Sequence, residues 1–223
     1  MAKQFSKIIR PELGNPESFQ SFASDQSLSE KEYFEFLFDG LLGNGISANG
    51  IAFERVVFKS ANLSRTTMRD TKLINAAVSN SDLANADWRG AVFERVEVSS
   101  TRLTGFNGAE GKYRHAVFRQ CSAQYAVFQL SNVDSCLFEE CDLSSATFEG
   151  ATLRNVSFFK CNLSGARLTS AKFEQVDLRG SRIERIQIDL RSLQDVTIDP
   201  SQAMTIAELA GVKIANLDQT NTA

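Results

Sequence analysis

Nucleophilic, acid–base and metal chemistry each require particular side chains brought together, and this chain of 223 residues offers few of them. It contains one histidine, His115, so a Ser-His-Asp triad or an imidazole-based zinc site has almost no raw material. Three of its four cysteines, Cys121, Cys141 and Cys161, recur every 20 residues, an interval that would stack them in a periodic fold and suggests a metal or a disulfide. Gly43-Asn44-Gly45-Ile46-Ser47-Ala48 fits the G-x-G-x-x-A fingerprint, in which glycines let a phosphate approach a helix N-terminus. Carboxylates are spread singly, apart from the cluster Glu139, Glu140 and Asp142, and no paired, partly buried acids suited to proton transfer are evident.

What would position these residues is a repeat of five. From Phe53 to Ile198, stepping by five, 30 positions are met and only Gly108 and Ala123 among them are not large and apolar. Residues two places before each centre are mostly small, as at Ala61, Ser81, Ala86, Ala116, Ala146 and Ala166. Neither a helix of 3.6 residues per turn nor a strand of period two keeps such a register pointing inward. Sorting the centres by twenties gives one column of Leu63, Leu83, Leu103, Ala123, Leu143, Leu163 and Ile183, often preceded by Asn or Asp. A second column is rich in phenylalanine, with Phe58, Phe118, Phe138 and Phe158.

Within this frame the chemical candidates lose their force. His115 falls outward and reads as a solvated histidine. The cysteines share their small inward slot with Ala61, Ser81, Thr101 and Ser181, so cysteine is expected there for its size. The glycine fingerprint has no βαβ unit around it and reads as a turn. No catalytic residue, cofactor or metal is assigned. Gly108 is read as space for the indole of Trp88, with Phe106 taking the large inward role; the cluster Gly105, Gly108 and Gly111 leaves open a loop between residues 104 and 115.

One large and one small inward residue per five, with polar residues between, resembles the pentapeptide-repeat family. That resemblance implies an all-β fold, a right-handed quadrilateral β-helix with four pentapeptides per coil. We expect three regions: residues 1–52 as an N-terminal segment, 53–199 as the β-helix, and 200–223 as a C-terminal helix and tail. Short helices are expected to cap both ends, because a stack of coils leaves open edges. Ser29-Glu30-Lys31-Glu32 reads as a capping box opening a helix with Tyr33, Phe34, Leu37 and Phe38 on its apolar side. Asp199-Pro200-Ser201-Gln202 opens the second, which Gly211 ends.

These features point to a non-enzymatic, cytoplasmic interaction scaffold with an unknown protein partner. Its docking face is expected along Ser64, Ala84, Thr104, Gln124, Ser144 and Ser164, which follow the leucine column and make a smooth, weakly charged wall. The C-terminal helix is apolar over more of its surface than one rod end can cover, so Met204, Ile206, Leu209 and Ala210 are candidates for a homodimer contact. Similarity to the Qnr type in size and terminal helix implies an alternative: a DNA-shaped dimer that binds gyrase or topoisomerase IV. Against it, no out-of-register loop interrupts the frame, and residues 53–199 hold 19 Lys/Arg against 18 Asp/Glu, far from a dense negative surface. The net charge of −3 gives no reason to expect direct nucleic-acid binding, and no apolar run reaches membrane-spanning length.

Overall fold

Each residue of the coil lies beside the residue twenty places later. Tyr33 pairs with Phe53, Phe53 with Leu73, Leu73 with Phe93, and Phe93 with Tyr113, always in parallel. The computed structural model describes residues 8–15, 20–21, 28 and 31–215. It is a parallel β-solenoid of about eight turns, nearly all strand, with a short C-terminal helix. At the ~4.8 Å spacing of paired strands, eight turns make a rod roughly 38 Å long.

The four sides of a coil are of two kinds. Two sides carry short strands, such as Ala52–Glu54 followed by Val57–Lys59. The other two carry single bridging residues, such as Asn62 beside Asp82 and Thr67 beside Asp87, and end in tight turns. In those turns a backbone N–H donates three residues back, as from Ala86 to Leu83 O at 3.2 Å and from Ala151 to Phe148 O at 3.0 Å. The last residue of each pentapeptide turns the corner in the left-handed region, for example Asn85 at φ 55° and Gly105 at φ 67°. That conformation is unfavourable for most L-residues, and ladder hydrogen bonds on both sides hold it.

Large inward residues stack directly on their counterparts. Phe118, Phe138 and Phe158 form a pile with ring centroids 4.8 and 5.0 Å apart and nearly parallel planes. A second pile, Phe128 on Phe148 at 5.0 Å, meets the first edge-on. Each fully buried Phe contributes about 1.5–3 kcal/mol, so these two piles are a principal source of cohesion in the rear half.

Residues 104–115 stay in register and form no separate loop: Phe106 donates to Leu103 O, Gly111 to Gly108 O, and Asn107 bridges to Val127. Phe106 is buried, so the exchange of large and small positions holds. The occupant of the space at Gly108 differs from the expected indole. A Cβ there would overlap the Tyr113 hydroxyl and the Phe106 ring. Tyr113 donates that hydroxyl to Gly108 O at 2.8 Å, while the Trp88 indole N–H is satisfied by Thr66 Oγ1 at 2.9 Å.

The front of the rod differs from the capping helix expected there. Glu32–Phe34 and Phe36–Asp39 are strands, and ladder pairing reaches forward of Phe53 as far as Gln20–Ser21. Ser29 and Glu30 of the proposed capping box lie outside the described residues. Tyr33 and Phe38 obey the five-residue frame and stack on Phe53 and Phe58 at 5.4 and 4.5 Å, and that tertiary burial outweighs a local helix signal. At the rear, a 3₁₀ turn over Leu190–Asp195 interrupts the frame, with Arg191 exposed.

The rear capping box is present. Asp199 accepts from Ser201 N and Gln202 N, Gln202 Oε1 accepts from Asp199 N, and a 3₁₀ turn at Pro200–Gln202 leads into the helix Ala203–Leu209. Gln202 also closes the rod, since its buried amide donates to Leu178 O and Ser181 O, both at 2.7 Å.

Gly108→Ala should lower the melting temperature by several degrees, as overpacking of a core typically costs about 1–3 kcal/mol. Thermal melts of double variants identify the clashing partner: adding Tyr113→Phe should recover part of the loss, and adding Trp88→Leu none of it.

Candidate interaction surfaces

Asn62, Asp82, Asp142 and Asn162 precede the leucine column for a backbone reason. Their side-chain oxygens accept the N–H two residues on, from Ser64, Ala84, Ser144 and Ser164, at 3.2, 2.8, 3.0 and 3.2 Å. Such Asx turns fix the chain as it enters the tight corner. Burial raises the Asp142 carboxyl, but hydrogen bonds from Ser144, Gln124 and Asn162 outweigh it and hold the group below its ordinary value. Asp82 also pairs with Arg102 at 3.3 Å.

The structure stacks the six wall residues in one column through hydrogen bonds such as Tyr125 N to Ser144 O. Five of them are partly accessible. Ala84 is buried and cannot offer contact surface. Several of the polar members are already engaged within the rod: Thr104 donates to Gln124 at 3.0 Å, Gln124 to Asp142 at 2.6 Å, and Ser164 to Glu184 at 3.0 Å. Beside the wall runs a polar groove of about 440 Å³, lined by Asn62, Asn80, Asp82, Ser100, Arg102 and Ser122 among others. Tyr125, at the far corner of the wall, is 65% exposed.

The terminal helix presents Met204 and Leu209 to solvent, 58% and 37% exposed, with Val212 and Ile214 beyond it. Ala210 is exposed as well. Ile206 faces the other way and packs against the core, so it belongs to the seal of the rod more than to an outer surface. Hydrogen bonds from Ser201 and from Gly180 N hold the Asp199 carboxyl below the usual carboxylate range, which keeps the cap charged.

The cysteine column has a structural explanation beyond size. From Ala61 to Cys161 it occupies a corner that lacks the tight turn's own backbone bond, and the polar members donate to the carbonyl two residues earlier or one coil below, a second donor where a backbone N–H is already bound, as at Glu139 O. Ser81 reaches Ser79 O at 2.8 Å and Thr101 reaches Ser99 O at 2.8 Å. Cys121, Cys141 and Cys161 do the same toward Arg119, Glu139 and Phe159 O at 3.3, 3.4 and 3.6 Å. All four cysteines are free and buried. Contact with Cys141 and burial push the Cys121 and Cys161 thiols up, and burial pushes Cys136 up to about 12. Among the described residues, no group of three His, Cys, Asp or Glu is arranged to hold a metal ion.

Gly43 to Ala48 is one more tight turn of the coil, with Ile46 N donating to Gly43 O, and it opens no helix. Glu139 is held by Arg119 at 2.7 Å, and Glu140 accepts from Gln120 at 3.1 Å. His115, expected in solvent, is instead half-buried and within 3.5 Å of the amide of Ile9. Sequence reasoning missed that contact because no local pattern records a partner 106 residues away.

With five-residue turns stacked in twenties and an Asx turn before the leucine column, the family comparison is decisive. A family of pentapeptide repeats in eight copies matches residues 72–107, and a pentapeptide repeat region matches residues 131–206. The chain belongs to the pentapeptide-repeat family. None of the curated proteins matches it. Among solved structures it is similar to trypsin-treated QnrB1 (M102R), a plasmid-mediated fluoroquinolone resistance protein, at 20% identity and a TM-score of 0.37, covering 88% of this chain and 96% of that one. It is also similar to HetL, a pentapeptide repeat protein involved in heterocyst differentiation regulation from the cyanobacterium Nostoc sp. strain PCC 7120. There the identity is 17%, the TM-score 0.32, and the coverage 70% and 89%. Rfr23 from the cyanobacterium Cyanothece 51142 matches at 16% identity and a TM-score of 0.19, over 77% and 93%.

If the cysteines act as small hydrogen-bond donors, Cys141→Ser should leave the melting temperature within a few degrees of the parent. Cys141→Val, which fits the slot without a donor, should cost about 0.5–1.5 kcal/mol by removing a hydrogen bond to a carbonyl that keeps its backbone partner, and EDTA should leave both melts unchanged.

Proposed function

We propose that this pentapeptide-repeat protein is a non-enzymatic, cytoplasmic scaffold that pairs with a second copy through its C-terminal helix and docks a protein partner along its leucine-column side. The observation that carries this reading is the contrast between the rod's surfaces. Its sides carry ladders of paired polar groups interspersed with exposed Leu42, Tyr125, Leu130 and Phe159, whereas one end exposes Met204, Leu209, Val212 and Ile214 together. Apolar side chains gathered at a rod end are the surface that gains most from burial against an identical surface, and a two-fold contact between helices closes without further growth. A partner on the side would read the wall of Ser64, Thr104, Gln124, Ser144 and Ser164, the adjoining polar groove, and Tyr125 as its aromatic anchor. Four buried free thiols suit a reducing compartment. Among the described residues, no helix is long and apolar enough to cross a membrane.

The gyrase-binding alternative is disfavoured by the disposition of charge. Several carboxylates on the rod are paired with cations: Glu97 and Glu139 with Arg119, Asp87 with Arg69, Glu174 with Arg154, and Asp177 with Arg179. A DNA-like surface needs an unbroken run of negative charge, and these cations would repel the positive saddle that binds DNA.

Sedimentation velocity at micromolar concentration should show a dimer for the full chain and a folded monomer for Met204→Glu/Leu209→Glu. These substitutions leave the Gln202 cap in place, and a monomeric parent would remove the dimer. In a gyrase supercoiling assay with a fluoroquinolone, stoichiometric protein should leave inhibition unchanged; restored supercoiling would establish the alternative.

A further inference from the structure

The N-terminal segment and the only histidine meet at a corner of the rod that neither the family nor the docking wall explains. Residues 8–15 run along the rod axis, across the coils. Gly14 lies against the guanidinium of Arg55, Glu12 N donates to Asn75 Oδ1 at 3.4 Å, and Ile9 N donates to His115 Nδ1 at 3.5 Å. These three anchors belong to one corner column, Arg55, Asn75, Arg95 and His115, with a residue in every coil. Two residues of the segment span the first coil step and three span the next two. At ~3.3 Å per extended residue against ~4.8 Å per coil, the five residues reach about 16 Å where three coils rise about 14 Å. Arg95, in the coil between, shares Asn75 Oδ1 with Glu12 through an Nε contact at 2.7 Å. Along this corner the strands Lys72–Ser79 and Val92–Ser99 continue unbroken, so the segment crosses the longest strands of the rod. Ile8, Pro11 and Leu13 are partly buried in it while Ile9, Arg10 and Glu12 face outward.

We propose that this corner column is a docking groove for an extended peptide strand, that its resident occupant is the chain's own segment 8–15, and that the segment detaches when His115 takes up a proton. The Ile9 amide is a donor, so it needs an unprotonated Nδ1; an imidazolium presents a donor on both nitrogens and has no lone pair to accept with. Charged groups facing the ring are Arg114 beside it, Arg95 and Glu94 on one neighbouring strand, and Asp134 on the other. On the segment itself, Arg10 adds a cation next to Ile9. Burial, then Arg114 and Arg95, lower the His115 pKa below 6.5, against the raising pull of Asp134 and Glu94. A hydrogen bond accepted by the neutral ring favours the unprotonated form in the docked state, so attachment is held at high pH and weakens as pH falls through the His115 pKa. Release frees the corner at Arg55 and Asn75, which the segment contacts.

Hydrogen–deuterium exchange of the full chain, normalised for the intrinsic pH dependence of exchange, tests this at pH 7.5 and pH 5.0. The Ile9 and Glu12 amides should be protected at pH 7.5 and lose that protection at pH 5.0, while ladder amides between Phe138 and Phe158 stay protected at both. His115→Gln supplies a non-titrating acceptor and should keep the segment docked at both pH values; His115→Lys should leave it open at both. Absent protection at pH 7.5, unchanged protection at pH 5.0, a Gln variant that opens with acid, or a Lys variant that stays docked would each overturn the proposal.

Discussion

The parallel hydrogen-bond ladder that sets each residue beside the one twenty places later is the constraint on which the rest of this protein depends. With coils only ~4.8 Å apart, any inward side chain must fit directly on its counterpart in the coils before and after. Flat rings satisfy that spacing by face-to-face stacking, as Phe118, Phe138 and Phe158 do. Where a larger side chain intrudes, its neighbours must give way: Tyr113 takes the space that leaves residue 108 no side chain. The exchange of Phe106 and Gly108 is therefore one packing solution spread over adjacent sides.

A four-cornered coil also has to satisfy its backbone at each corner. Two sides do this with tight turns, entered through Asn or Asp side chains that accept the N–H of the turn. From Ala61 to Cys161 the corner before the leucine column has no such turn, and there Ser, Thr and Cys add a second donor to carbonyls that a backbone N–H already engages. Hydroxyl and thiol are interchangeable in this role because each has one hydrogen to direct at a carbonyl and a volume small enough for the slot. The spacing that resembles a metal ligand set arises from the same small inward slot repeated coil after coil.

Surfaces follow from the same geometry. Outward residues stack as ladders, so opposite charges in adjacent coils meet, as at Glu139 and Arg119, and exposed pairs of this kind contribute little stability while neutralising the sides. The terminal helix beyond Gln202 lies where the ladder ends, and the corner under residues 8–15 where it is crossed.

The period of five, the column of leucines, the in-frame large residues and the rear capping box were legible in the sequence, because each is a local pattern repeated at fixed spacing. The front helix was misread for the same reason. Ser29 to Phe38 carries a local helix signal, but Tyr33 and Phe38 also sit in frame, and stacking on Phe53 and Phe58 decided between them. The tertiary structure alone showed that Tyr113 fills the space at Gly108, that Ala84 is buried in its wall, and that Ile206 faces the core. It alone placed Ile9 against His115. Periodicity specifies which way a side chain points. It carries no record of what a distant, non-repeating segment lays across it, and that is decided only when the chain is wound.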